Sequence, residues 1–373
     1  MSDDRRALSQ TERLDWLRLI RSENVGPITF HRLVERFGSA GEALRALPDL
    51  ARRGGRSQPL RLCPKGEAER EMAAGERLGA RLLAACEPDY PRALAAVDDA
   101  PPTLWVMGHA GLLARPAVAV VGARNASIAG RNMAQRLARD LADAGLLVVS
   151  GLARGIDTAA HAGALAGGTA AVMAGGVDVV YPPENEGLHR DIAARGVLVA
   201  ESPIGTEPQA RHFPRRNRVI SGLSLGVLVV EAALKSGSLI TARLALEQGR
   251  ELFAVPGSPA DPRCQGCNRL IKEGALLVET ADDVLEALRG ASPPPLREPE
   301  RGLFRPGPAA PPDESELERA RAVVVESLSP TPVLVDEVIR GCQISPPVVL
   351  TVLLELELAG RIQRHPGGRV SLT

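Results

Sequence analysis

Aromatic side chains make up only 2% of this 373-residue chain: two tryptophans, two tyrosines and five phenylalanines. That scarcity excludes a nucleic-acid reader built on an aromatic-studded sheet, which needs a ring beneath each bound base. Cysteine is thin too. The five present, an odd number at irregular spacing, do not make a secreted disulfide framework. Cys264 and Cys267 form a lone CxxC with no second pair, so no metal site is expected. No apolar run approaches the ~20 residues of a membrane span, and MSDDRRALSQTERL at the start carries no apolar signal core. A cytoplasmic protein that neither enters nor crosses a membrane is therefore expected. Net charge is also missing, since 45 basic residues balance 45 acidic ones. A polyanion can then be recruited only through a local patch.

One such patch exists. Arg211 to Arg218, RHFPRRNR, places four arginines, His212, Phe213 and Asn217 within eight residues. Guanidinium groups suit phosphate oxygens because each offers paired donors in a plane and cannot be neutralised. A ring among them is what base stacking requires. The alternative is a solvated basic helix face with Phe213 as its core anchor.

Taken in order, the chain opens with a capping box at Ser9 and Glu12 and an amphipathic helix bearing Leu14, Leu17, Leu19 and Ile20. Asn24-Val25-Gly26-Pro27 breaks it, and a second helix carries Phe30, Leu33, Val34 and Phe37. Residues 1–79 read as a small helical domain of SAM or helix-hairpin-helix type, with packing favoured over phosphate binding as its role. Arg81 to Ala85 and Thr103 to Met107 read as two short strands. From Val118, apolar runs alternate with helical patterns: Val118–Val121, Leu146–Val149, Ala170–Met173, Val197–Ala200, Leu225–Val230 and Leu252–Val255. Runs of this kind are strands covered on both faces, so 80–289 is expected to be an extended Rossmann-like, doubly wound parallel α/β sheet. Residues 290–312, rich in proline and glycine, read as a linker, and 313–373 as a winged-helix-like domain.

Ligands of such sheets sit beyond the carboxyl ends of the strands. Those ends carry GARNAS with Arg124 and Ser127, SGLARGID with Ser150, Gly151 and Arg154, the arginine run, and Lys235-Ser236-Gly237-Ser238. Unpaired N–H groups at the helix starts Ser127 and Ser238 add anion affinity. A nucleotide cofactor does not fit, because GxGxxG is absent and Leu234 stands where a P-loop needs glycine. Catalysis fits poorly. Asp157, His161 and Glu231 lack a nucleophile or metal set, and read better as a helix cap, a buried contact and an orienting partner for a rim arginine. A flexible, single-stranded phosphate polymer held through its backbone suits the rim best.

VGARNASIAG, SGLARGIDTAAH, GGVDVVYPPEN, FPRRNRVISGLS, VVEAALKSGSLITARLALEQGR and FAVPGS resemble, in order, the motifs of the bacterial DNA-processing family DprA/Smf. The match covers about residues 80–289, and FPRRNR with KSGSLITA is its most specific part. The resemblance implies a cofactor-free, non-enzymatic single-stranded DNA binder. It also implies a homodimer that loads the recombinase RecA onto incoming DNA in natural transformation. By the same resemblance, phosphate contacts fall on Arg124, Ser150-Gly151, Phe213, Arg215, Arg216-Asn217-Arg218 and Ser236-Gly237-Ser238. Two other readings stay open. Nucleotide phosphoribohydrolases of the lysine-decarboxylase-like group share a related sheet, but their PGGxGTxxE signature is missing here; the other reading is a pure protein-interaction scaffold. The winged-helix-like domain is not expected to read a groove. Ser345 to Gly360 offers Glu355 and Glu357 and no basic residue.

Overall fold

The computed structural model describes residues 5–291, 314–365 and 367–373. The expected linker at 290–312 lies outside them, save its first two residues. Contacts divide the chain into two compact units: residues up to 13 with 66–291, and 14–65 with the carboxyl-terminal segment.

Helix α1 (Gln10–Arg21) starts at the expected capping box, where Ser9 N–H donates to Glu12 and Glu12 N–H returns a bond to the Ser9 hydroxyl. Helix α2 (Pro27–Phe37) has proline in its first turn, where the missing N–H costs nothing. Helix α3 (Ala40–Arg53) is capped by Ser39, which accepts from Glu42 N–H. Helix α4 (Lys65–Arg77) leads to the sheet.

The sheet elements run β1 (Arg81–Ala84), a single turn α5 (Arg92–Ala95), β2 (Thr103–Gly108), β3 (Ala117–Gly122), α6 (Ile128–Asp143), β4 (Leu147–Ser150), α7 (Ile156–Ala164) and β5 (Thr169–Met173). They continue with α8 (Glu186–Arg195), β6 (Val197–Ala200), α9 (His212–Leu223), β7 (Gly226–Val230), α10 (Ser238–Glu247), β8 (Glu251–Ala254), α11 (Gln265–Lys272), β9 (Leu276–Leu277) and α12 (Ala281–Ala291). Among the described residues the strand order is β1-β2-β6-β5-β4-β3-β7-β8-β9. Every pair from β6 to β9 is parallel, while β2 joins β6 antiparallel and β1 joins β2 antiparallel. The doubly wound expectation holds, with β1 and β2 as an antiparallel extension at one edge.

The pleat explains why the strands read as unbroken apolar runs. Along β3, Ala117, Ala119 and Val121 enter the core on one face and Val118 and Val120 the core on the other. From β3 the chain winds to β6 in one direction and from β7 to β9 in the other. The switch point therefore lies between β3 and β7, at Gly122 and Val230.

In the carboxyl-terminal segment, α13 (Glu314–Ser327), β10 (Val333–Leu334), α14 (Val335–Cys342), α15 (Pro346–Leu358), β11 (Ile362–His365) and β12 (Arg369–Leu372) form a winged helix, with strand order β10-β12-β11. Helix α15 buries Val349, Val352, Leu353 and Leu356 in the core of this module.

Candidate nucleic-acid interface

A cleft of about 830 Å³ opens over the switch point, between the loops that follow β3 and β7 and the first turns of α9. Arg124, Asn125, Phe213, Asn217 and the run Lys235 to Ser238 line it. A smaller pocket of about 220 Å³ adjoins it, sharing Arg124, Tyr181, Phe213 and Arg216 and adding Arg154.

Phe213 sits in the first turn of α9 with its ring flanked by cations. The Arg124 guanidinium lies 4.9 Å from the ring centroid and that of Arg216 5.9 Å. Tyr181 stands 5.6 Å away, ring to ring, tilted by 59°. Phe213 thus lines the cleft rather than anchoring a core. The sequence reading counted one aromatic here and missed Tyr181. Its signal was position: it follows β5, within GGVDVVYPPEN, on the same rim as the other loops.

Arg216 is buried, and its Nη1 donates to Val172 C=O at 2.7 Å. It rests against the backbone of Gly151, where a Cβ would fall 1.8 Å from Nη1, so only glycine admits the guanidinium. Burial pushes its pKa down to about 10, opposed by the charge of Asp157. Asp157, also buried, accepts from Gly151 N–H at 3.0 Å and Ala153 N–H at 3.3 Å. Burial raises its pKa, and Arg216 pulls the other way. Rather than capping its own helix, this carboxylate holds the loop that precedes it.

His161 supports the same loop. Its Nε2 accepts from Leu152 N–H at 3.3 Å and its Nδ1 lies 2.7 Å from the Thr169 hydroxyl. That hydroxyl donates to Val148 C=O at 2.9 Å, so Nδ1 carries the ring proton. Burial lowers the pKa of His161 to about 3, keeping it neutral. These bonds hold Leu152 at φ 55°, a left-handed conformation costly for a side chain of this size. The buried-contact reading of His161 fits.

Glu231 departs from expectation. It does not orient a rim arginine; its carboxylate accepts from the backbone N–H of Ser127 at 2.8 Å and from the Ser127 hydroxyl. The reason is local: at φ 51°, Glu231 turns the chain at the end of β7 beside the start of α6. Ser127 also accepts from Gly130 N–H at 2.8 Å as the cap of α6, so its hydroxyl is fully engaged.

The remaining candidates divide. Arg124, Arg154, Asn217, Lys235, Ser236, Gly237 and Ser238 reach the cavities, and the Ser236 and Ser238 hydroxyls lie 2.7 Å apart. Arg124, Arg154 and Lys235 make no ion pair among the described residues. Ser150 is buried, its hydroxyl donating to Val120 C=O at 2.7 Å. Arg218 is buried too, 2.6 Å from Glu201 and bonded to Asp99 C=O. Arg215 is exposed and shares Glu201 at 3.2 Å. Neither lines the cleft or the smaller pocket. Arg263, not expected, does line the cleft, paired with Asp261 at 2.8 Å.

The family model described as DNA recombination-mediator protein A matches residues 81–289. The chain belongs to the DprA/Smf family. Models of a DprA-like amino-terminal HHH domain and a DprA winged helix domain match residues 10–74 and 308–368. The chain is 40% identical to Protein Smf of Escherichia coli over 312 residues, 83% of this chain and 82% of that one. It is 43% identical to the DNA processing protein DprA of Bacillus subtilis over 222 residues, 59% of this chain and 75% of the relative. The X-ray structure of DprA from Streptococcus pneumoniae aligns at a TM-score of 0.62 and 34% identity, covering 75% of this chain and 98% of that chain. A structure of DprA from Helicobacter pylori, described as giving insight into a single-stranded DNA binding mode, aligns at 0.52 and 30%, covering 57% and 96%. The matched family is that of a recombination mediator, not of an enzyme. No helix among the described residues is long and apolar enough to cross a membrane.

Proposed function

We propose that the switch-point cleft holds single-stranded DNA, and that the protein shields incoming DNA and loads RecA onto it during natural transformation. The observation that carries this reading is the Phe213 ring, set between Arg124, Arg216 and Tyr181 at the mouth of a cleft whose Lys235 has no ion-pair partner among the described residues. Bases stack on the ring while phosphates meet the cations. The single-stranded DNA binding described for the Helicobacter pylori protein supports the same ligand class.

Within this proposal the fourteen candidate residues take two roles. Arg124, Arg154, Phe213, Asn217, Lys235, Ser236, Gly237 and Ser238 face the strand, with Arg215 at its margin. Ser127, Ser150, Gly151, Arg216 and Arg218 shape the loops from beneath. The division of the chain into 1–79, 80–289, 290–312 and 313–373, the cytoplasmic setting and a homodimer belong to the same reading. A strand bridging two clefts makes the second contact intramolecular, so affinity rises steeply with oligonucleotide length.

A salt series with single- and double-stranded oligonucleotides tests it, beside sedimentation and an assay of AMP for released ribose 5-phosphate. Tight, length-dependent single-strand binding by a dimer, without ribose release, is expected. Ribose release would favour the phosphoribohydrolase reading, although Glu231, its natural acid, is engaged by Ser127. No nucleic-acid binding would leave the scaffold.

A further inference from the structure

The smaller pocket differs from the cleft beside it in one respect: it carries a carboxylate with no partner. Glu184 lines it, in the turn Pro183–Asn185 that leads into α8, and makes no hydrogen bond or ion pair among the described residues. An acid beside a helix start is normally held by the first N–H groups, yet Glu184 accepts from none of them. Arg154, which lines this pocket and not the cleft, is equally unpaired. Arg216, buried in the pocket wall, keeps its Nε–H without a hydrogen-bond partner. Much of the remaining wall is apolar, from Met173, Pro182 and Pro208 to the rings of Tyr181 and Phe213.

The cleft is built for a different guest. Among the described residues lining it the one acid is Asp157, whose carboxylate is occupied by the N–H groups of Gly151 and Ala153. Phosphate therefore meets cations in the cleft, whereas in the small pocket Glu184 repels it. Size points the same way. At about 220 Å³ the pocket falls below the roughly 300–1,000 Å³ of clefts that take larger ligands, so it suits a single base.

An acid and a guanidinium that share one flat, apolar pocket call for a ring with donors on one edge and acceptors on the next. Guanine is the DNA base with that arrangement. Its N1–H and N2 amine give a carboxylate two parallel donors, and its O6 and N7 give an arginine fork two acceptors. Adenine sets an amine where O6 would be, cytosine lacks the second ring, and thymine flanks its one N–H with two carbonyls. On the reading that the cleft holds single-stranded DNA, we propose that the adjoining pocket takes one unstacked guanine of the same strand. Glu184 meets its pairing edge, Arg154 meets O6 and N7, and the Tyr181 and Phe213 rings lie against its face. Backbone contacts leave the rest of the strand sequence-tolerant, so it shifts register until a guanine reaches the pocket.

Strands of about 20 deoxythymidines carrying one central dG, dA or dC, compared with oligo-dT by competition, test this. The dG strand should bind about tenfold more tightly than oligo-dT, which is ~1.4 kcal/mol and lies within the range of one bidentate base contact. The dA and dC strands should stay within about threefold of oligo-dT. Hypoxanthine, which lacks the N2 amine, and 7-deazaguanine, which lacks N7, should each lose most of the gain, and both are tried on the unaltered protein. Glu184 is exposed, and Glu184→Gln should bring the ratio of dG strand to oligo-dT affinity to about one. Arg154→Ala should no longer distinguish guanine from 7-deazaguanine. Equal affinity of the parent for all four strands overturns the proposal and leaves the single-strand reading standing. So does a preference for another base, or a guanine preference that survives Glu184→Gln. Absence of binding to any of the strands overturns both.

Discussion

Replacing Arg218 by alanine should destabilise the sheet unit and leave the salt dependence of DNA binding alone. Arg218 belongs by sequence to the run that suggested phosphate binding, but its guanidinium lies 2.6 Å from Glu201 with both side chains at most 10% exposed. It also donates to Asp99 C=O and stands 3.5 Å from the Asp99 carboxylate. Breaking one side of a buried pair costs about 3–5 kcal/mol, because the other charge stays behind unpaired. Here Arg215 still reaches Glu201 at 3.2 Å. The cost should therefore fall near the lower end, about 3 kcal/mol. For a unit of this size that is a fall in Tm of roughly 6–12 °C, at about 2–4 °C per kcal/mol. Urea unfolding followed by circular dichroism gives the stability, and fluorescence anisotropy at several salt concentrations gives the slope. Replacing both partners, as Arg218→Met with Glu201→Leu, should recover most of the loss. Parental stability in Arg218→Ala, with a slope flattened by about 0.7, would show that Arg218 meets phosphate and that the ion pair contributes nothing.

The cleft supplies the contrasting cases. Lys235→Ala should flatten the slope by about 0.7 with no change in Tm, and an unchanged slope would place the strand elsewhere. Phe213→Ala should cost about 1–3 kcal/mol of single-strand affinity at constant slope, whereas undiminished affinity would make the ring a structural prop for Arg124. His161 should give acid sensitivity. Its folded pKa of about 3 lies below the ordinary value of 6.5, so between them the unfolded chain binds the extra proton. Its contribution is therefore complete above pH ~6.5 and lost as pH falls, by at most about 1.4 kcal/mol per unit. Asp157, whose pKa is raised, works in the opposite sense just above 3.8. Comparing parent with His161→Gln across pH 4–7 isolates the histidine, and parallel stability curves would refute the assignment.

The rim could be located from sequence because parallel strands announce themselves as apolar runs, and their carboxyl ends follow directly. The division of labour along RHFPRRNR could not. Helix α9 turns by about 100° per residue, sending Arg215 outward, Arg216 onto Gly151 and Arg218 onto Glu201. Each outcome depends on a residue from another strand end. Glu231 escaped for the same reason: its partner Ser127 lies across the switch point, and only the β3–β7 pairing brings them together. Tyr181 was hidden by its loop, which has no regular pattern to fix where a ring will stand.

Helix α15 marks a different boundary. Its sequence, apolar on every side but for Glu355 and Glu357, already excluded a groove-reading role, and that reading agrees with a helix that is buried nearly all round. The same composition carried a further implication. A helix with apolar residues on two faces needs two partners, and a winged-helix core supplies only one. The second had to come from elsewhere, and it is α3, some three hundred residues earlier in the chain. Nothing in α3 names that partner, since its own pattern is that of any amphipathic helix. The one local sign is Gly54, which ends the helix without the left-handed turn that usually calls for glycine there. A glycine not required by its own backbone is required by a neighbour, and here the neighbour is the Glu355 carbonyl.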